Sequence, residues 1–201
     1  PEPMTARSGL ILVLAAVLLG GCQRAPETHH EQAFVLGTLV EITAVDVAED
    51  AFHSAAGAAF RDMRTLHDAL TPVAPDSPLN RFNRHATGGW TTLDGPLAPL
   101  LPRALSVQRA SANAFNPHLG RLVGLWGFRE PPFPKAPPPE GAVAALLDAG
   151  AGETALALAR RDGLQARLTA PGAALDLGGI AKGFAVDRAA AALREHGVAN
   201  A

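Results

Sequence analysis

From residue 48 to residue 70 the apolar side chains come in steps of three and four. Phe52, Ala56, Phe60, Met63, Leu66 and Leu70 therefore share one face of a single long helix. A helix with one apolar stripe must bury it against another layer. The segment just before it supplies one. FVLGTLVEITAV at 34–45 alternates, is rich in Val, Ile and Thr, and reads as a strand interrupted at Gly37. His53 and His67, on the helix, are read as surface or interface positions rather than ligands.

Proline and glycine divide the rest of the chain. Thr71-Pro72 ends the long helix. A turn at 75–78 leads into a short helix over 79–83, with Asp76 or Ser77 as its N-cap. Residues 94–109 are helical in pattern, but Pro96, Pro99 and Pro102 delay the start. PPFPKAPPP at 131–139 fits neither helix nor central strand and is a semi-rigid surface loop. A short helix over 141–150 stops at glycine. Strands over 155–160 and 165–170 flank a turn at Arg161-Asp162-Gly163. Helices and strands are interspersed without an internal repeat, so the class is α+β or α/β.

With 201 residues, 48% of them hydrophobic, the chain can bury a sizeable core without disulfide staples. A net charge of −2 excludes a chain-wide basic field for nucleic acid. Lys135 and Lys182 are the only lysines, and the other cations are arginines.

The start of the sequence reads as an export signal. LILVLAAVLL at 10–19 follows Arg7 and precedes Gly20-Gly21-Cys22. It is shorter than the roughly 20 apolar residues that span a bilayer, and its flanks are those of a secretory signal. The lone cysteine resembles the bacterial lipoprotein box, whose thiol is acylated. That resemblance implies a signal peptide over 1–21 and a polar tether over 22–33. It also implies a lipid anchor through Cys22 at the periplasmic face of a bacterial membrane. Gln23 after the cysteine suggests the outer membrane, and Met4 is the expected start. His29-His30 in the tether is not expected to form a metal site alone.

The segment at 173–197, AALDLGGIAKGFAVDRAAAALREHG, carries the chemistry. It reads as a short strand over 173–177, a turn at Gly178-Gly179, and a helix from Ile180 to His196 stopped by Gly197. Ile180, Phe184, Val186, Ala190 and Leu193 form the stripe expected to pack on the sheet. Such a junction presents free backbone N–H groups and a positive dipole end, and its glycines let a ligand approach. Lys182 adds a cation, which suits a phosphate or pyrophosphate. Neither the P-loop nor the dinucleotide fingerprint is present. A plain strand–turn–helix connection with a solvated lysine is the alternative, and composition does not decide between them.

LDLGGIAKGFAVD at 175–187 resembles the signature of the ApbE family. Three further blocks occur in that family's order: FVLGT (34–38), ALTPVAPDSPLNRFN (69–83) and SANAFNPHLGRLVGLWGF (111–128). Together they cover nearly all of the chain after the leader. The resemblance implies an α+β fold, a T-fold-related mixed sheet with packed helices, over 34–201. It implies an FAD:protein FMN transferase that uses Mg2+, moves FMN from FAD to a Thr or Ser hydroxyl of a partner flavoprotein, and releases AMP. By position it implies that Leu36, Val73, Ala114, Phe115, Asn116, Asp176 and Lys182 contact FAD. Gly179 would lend a backbone oxygen to the metal.

Two of these positions depart from the family. Val73 stands where an aromatic often covers the nucleotide, and Asn116 stands where Asp is common. The family's C-terminal Asp and Thr metal ligands, and a His proposed as base, would lie beyond Ala201. The fold is therefore expected to be incomplete at the C-terminus, and the isolated 201-residue chain to be unstable and inactive. A periplasmic FAD pyrophosphatase and a non-catalytic flavin-binding lipoprotein are the competing readings.

Overall fold

The computed structural model describes residues 25–129, 132–152 and 155–201. The export signal and Cys22 lie outside them. Strands β1 (Thr28–Val35) and β2 (Thr38–Val45) form an antiparallel hairpin. Gly37 does not interrupt a strand; it shares a two-residue turn with Leu36. Both have positive φ, 54° at Leu36 and 71° at Gly37, as the hairpin turn that matches strand twist requires. The pairing reaches back to Thr28, so 28–33 are strand where a tether was expected. Side chains in β1 alternate between exposed and partly buried. His29 shows why: it stacks on Phe52 at 5.6 Å between centroids and bonds the Val47 carbonyl at 3.1 Å.

Helix α1 (Glu49–Leu70) follows, with Glu49 and Asp50 in its first turn complementing the dipole. All six residues of its expected stripe are buried. Helix α2 (Pro78–His85) is capped by Ser77, whose hydroxyl accepts from the Asn80 amide at 3.2 Å. A two-residue strand β3 (Thr91–Thr92) precedes α3 (Leu97–Ala110), which starts late and keeps Pro102 inside it. Two short helices follow, α4 (Gly120–Leu125) and α5 (Glu140–Asp148). Strands β4 (Leu156–Arg161) and β5 (Gly163–Leu168) pair antiparallel, and β5 lies between β3 and β4. The chain closes with α6 (Gly178–Glu195), stopped at Gly197 with φ 82°. Its end returns to the first sheet, where the Val45 amide bonds the Asn200 carbonyl at 3.0 Å.

Two expectations fail here. Helix α6 packs closely on α1, and its buried face is Ala181, Ala185, Ala189, Ala192 and Leu193 rather than the expected stripe. Val186, expected in the stripe, is 60% exposed, while Ile180 and Phe184 sit at the core's margin. Alanines at four-residue spacing let the helix backbones approach, and Ala55, Ala56 and Ala59 do the same on α1. Residues 173–177 are not a strand. They make one parallel bridge, Leu119 to Ala174, while the Ala173 amide bonds the Ala170 carbonyl and Leu175 bonds the Asn83 side chain.

Candidate functional site

The segment at 172–177 crosses the segment at 117–120, and the crossing sets the site. The Gly120 amide bonds the Ala174 carbonyl and the Asp176 amide bonds the Pro117 carbonyl, both at 2.9 Å. Gly120 has to be glycine there, since a Cβ would lie 2.6 Å from the Leu175 carbonyl oxygen. Asn83 of α2 then clamps Leu175 from the side. Its Nδ2 donates to the Leu175 carbonyl at 2.9 Å and its Oδ1 accepts the Leu175 amide at 2.7 Å. One side-chain amide thus stands in for a strand partner.

With Leu175 and Leu177 buried on either side, Asp176 is held at the surface of a cleft of about 420 Å³. Asp176 Oδ1 accepts the Gly178 amide at 2.9 Å, so the carboxylate caps the start of α6. Its geometry leaves Oδ2 to accept from a ligand. Lys182 lines the same cleft, in the second turn of α6 because the helix begins at Gly178, two residues earlier than expected. Opposite walls come from the hairpin tip, Leu36 and Gly37, and from Val73 after α1. Val73 and Phe128, another lining residue, are 54% and 63% exposed, so an apolar surface stands open beside the charged one. A left-handed backbone at Leu36 costs a non-glycine residue about 1 kcal/mol, and such strain gathers where a side chain must be aimed.

Four of the expected contacts, Leu36, Val73, Asp176 and Lys182, therefore meet in one cleft. The 114–116 loop stands differently. Phe115 lies over the signature turn, where a Cβ on Gly179 would come within 3.2 Å of its ring. Asn116 is spent on the scaffold. Its Nδ2 donates to the Gly152 carbonyl, and its Oδ1 accepts the His118 amide at 2.9 Å and His118 Nδ1 at 3.1 Å. Ala114 is exposed at the end of a turn in which Ala112 and Asn113 have positive φ. Neither Ala114 nor Asn116 lines the cleft.

His118 is fully buried, and burial holds its pKa below the ordinary histidine range. Because Asn116 Oδ1 can only accept, Nδ1 carries the proton. Nε2 is left as a buried acceptor without a partner among the described residues. Sequence reasoning read His67 only as a surface or interface position and did not single out Asn80, Phe128 or Arg129; all four line the cleft. Only Phe128 carried a signal, in the distinctive LWGF at 125–128.

Comparison with known proteins places this arrangement. The ApbE family profile matches residues 36–201. An FAD:protein FMN transferase of Rhodobacter capsulatus is 34% identical over 97% of this chain and 37% of its own length. One of Vibrio cholerae is 26% identical over 96% of this chain and 57% of its own. Among solved structures, the ApbE protein of Thermotoga maritima superposes with a TM-score of 0.73 at 26% identity, covering 85% of this chain and 53% of that one. The flavin transferase ApbE of Vibrio cholerae gives 0.75 at 23% identity, over 87% and 55%. The chain thus spans about half the length of most such relatives, or less, and its fold is theirs. The chain belongs to the ApbE family.

Proposed function

We propose that this chain forms part of an FAD:protein FMN transferase, with the cleft between the Leu36 hairpin tip and the Asp176–Lys182 turn as its flavin-nucleotide site. The observation that carries the reading is the meeting of Leu36, Val73, Asp176 and Lys182 in one cleft, although up to 146 residues separate them in sequence. The apolar side, Leu36, Val73 and Phe128, suits a flat ring system. Lys182 supplies a point charge for phosphate oxygens, and Asp176 accepts from an N–H or hydroxyl of the ligand. In the transfer, the acceptor's Thr or Ser oxygen bonds to the FMN phosphorus. The pyrophosphate P–O bond breaks, AMP leaves with the bridging oxygen, and the hydroxyl proton is lost to a base.

A divalent cation would assist such a step by neutralising phosphate charge. The donors at this cleft do not by themselves make a Mg2+ site. Asp176 is its single carboxylate among the described residues, and the Gly179 carbonyl sits within α6. Among the described residues no group of three or more His, Cys, Asp or Glu side chains gathers to hold a metal. Mg2+ prefers near-octahedral oxygen coordination, which one carboxylate does not supply.

The test is FAD titration of the full gene product by flavin fluorescence, followed by addition of a threonine-bearing acceptor protein. Covalent flavin on the acceptor supports the reading. Free FMN without acceptor labelling would replace it with a pyrophosphatase, and retained FAD with a binding protein. Lys182→Ala is expected to weaken FAD binding about tenfold, the scale of one charge-assisted contact. Export and acylation at Cys22 belong to the same proposal. Mass spectrometry of the membrane fraction should find the diacylglyceryl mass on Cys22 and lose it in Cys22→Ser.

A further inference from the structure

A second hollow, a groove of about 560 Å³, adjoins the flavin cleft, and Pro72, Asn80 and Arg129 border both. Three guanidiniums converge on it from distant parts of the sequence: Arg84 from α2, Arg121 from α4 and Arg129 from the segment after α4. All three residues are exposed, and no carboxylate among the described residues lines the groove. The chain as a whole carries a net charge of −2, so this cationic surface is local.

The polar floor is already committed. Asn80 Nδ2 bonds the Pro72 carbonyl at 2.9 Å and the Ala74 carbonyl at 2.8 Å, and Asn83 is spent on Leu175. The arginines are committed only in part. Arg129 Nη2 bonds the Gly120 carbonyl at 2.8 Å, which fixes the fork in place. Arg84 holds the Pro75 carbonyl and, at 3.2 Å, the Asp76 carboxylate. Arg121 makes no hydrogen bond or ion pair among the described residues. Each guanidinium has five N–H donors, so donors remain on all three.

We propose that this groove is the docking site for an acidic stretch of the acceptor polypeptide, whose carboxylates pair with Arg121, Arg129 and Arg84 while its hydroxyl residue enters the cleft. The proposal rests on the transferase reading above. The cleft has its own cation for the nucleotide, Lys182, and the groove lies outside it on open surface. A polypeptide that lays one hydroxyl into the cleft must run its flanking residues over the adjoining surface. Arginine forks bind carboxylates in bidentate fashion, which fixes register as well as affinity. Charge complementarity of this kind also raises the rate of encounter, most strongly at low salt.

Fluorescence anisotropy tests it on the full gene product, with and without FAD. One fluorescein-labelled peptide carries a threonine flanked by aspartates, and a second has asparagine at each aspartate. The acidic peptide should bind about tenfold more tightly, and added salt should erase the difference. Arg121→Glu should abolish that preference and favour a lysine-substituted peptide, while FAD affinity and the melting temperature stay at their starting values. Equal binding of the acidic and neutral peptides would overturn the proposal. So would an Arg121→Glu protein that still prefers aspartates, or one whose loss falls on FAD, which would assign the arginines to the nucleotide. If FAD does not bind at all, the transferase reading fails, yet the peptide series still decides whether the groove selects acidic chains.

Discussion

Where α1 meets α6, the contact is made of alanine faces and a few large side chains, with Phe52 and Met63 buried beneath. Where 117–120 crosses 174–176, it is made of backbone amides, one side-chain amide and one close-set glycine, Gly120. The first contact is non-directional and is held by area removed from water. The second is directional and is held by groups that must each find their partner. Helix packing positions the body of the molecule, while the hydrogen-bonded crossing positions Asp176 and the turn at Gly178. A cleft built on the second kind of contact has accurate geometry but little tolerance of change.

Removing volume should injure the helix pair most. Phe52→Ala leaves a cavity under β1 and α1 and should cost about 3–5 kcal/mol in denaturant unfolding. Phe52→Leu keeps most of the volume and should cost less than half as much. Adding volume should injure the crossing most. Gly120→Ala brings a methyl to 2.6 Å and 2.8 Å from two carbonyl oxygens and should cost about 2–3 kcal/mol, though the same change on a helix surface is favourable. If Gly120→Ala proved neutral, the crossing would be a pliable loop and the contrast would fail. Asn83→Ala removes both bonds to Leu175 and should cost about 1–3 kcal/mol, because it leaves a backbone pair unsatisfied. Its sharper signature is local. Hydrogen exchange at the Leu175 amide should accelerate while the α1 amides stay protected.

The same contrast explains which features were legible in the sequence. The α1 stripe could be read because its large apolar residues recur on one face and all are buried. The α6 stripe was misread because periodicity weights Ile180, Phe184 and Val186, whereas close helix packing selects the alanines between them. Residues 173–177 looked like a strand because their apolar run is that of one. Nothing in a linear pattern shows that Asn83, 92 residues away, takes the place of the partner strand. Leu36, Val73, Asp176 and Lys182 were named by motif, and all four line one cleft. His67, Asn80 and Arg129, and the arginines of the neighbouring groove, reach it through tertiary contact alone. Asn116 was matched as an FAD contact, and its bonds to Gly152 and His118 make it a brace for the loop behind the cleft.

The smallest effects separate the two regions by pH. His118 sits at the crossing, and burial lowers its pKa from the ordinary 6.5. The unfolded chain therefore takes up a proton before the folded chain does. His118 destabilises the fold progressively as pH falls below 6.5 and has no such effect above it. His53 lies on α1, where the hydrogen bond its ring donates to the Glu31 carboxylate of β1, followed by that residue's charge and then by Glu49, raises its pKa above 6.5. Here the folded chain holds the proton longer. That contribution is fully present below 6.5 and is lost as pH rises through the folded value. The two histidines thus act on opposite sides of 6.5 and together place a stability maximum near it. His118→Asn keeps a donor toward Asn116 and cannot titrate, so its unfolding midpoint should lose the acid-side decline and keep the alkaline one. His53→Gln should do the reverse. Urea midpoints measured from pH 5 to pH 8 would show both, and a variant that flattened the wrong limb would mean that the two sites are coupled through the core.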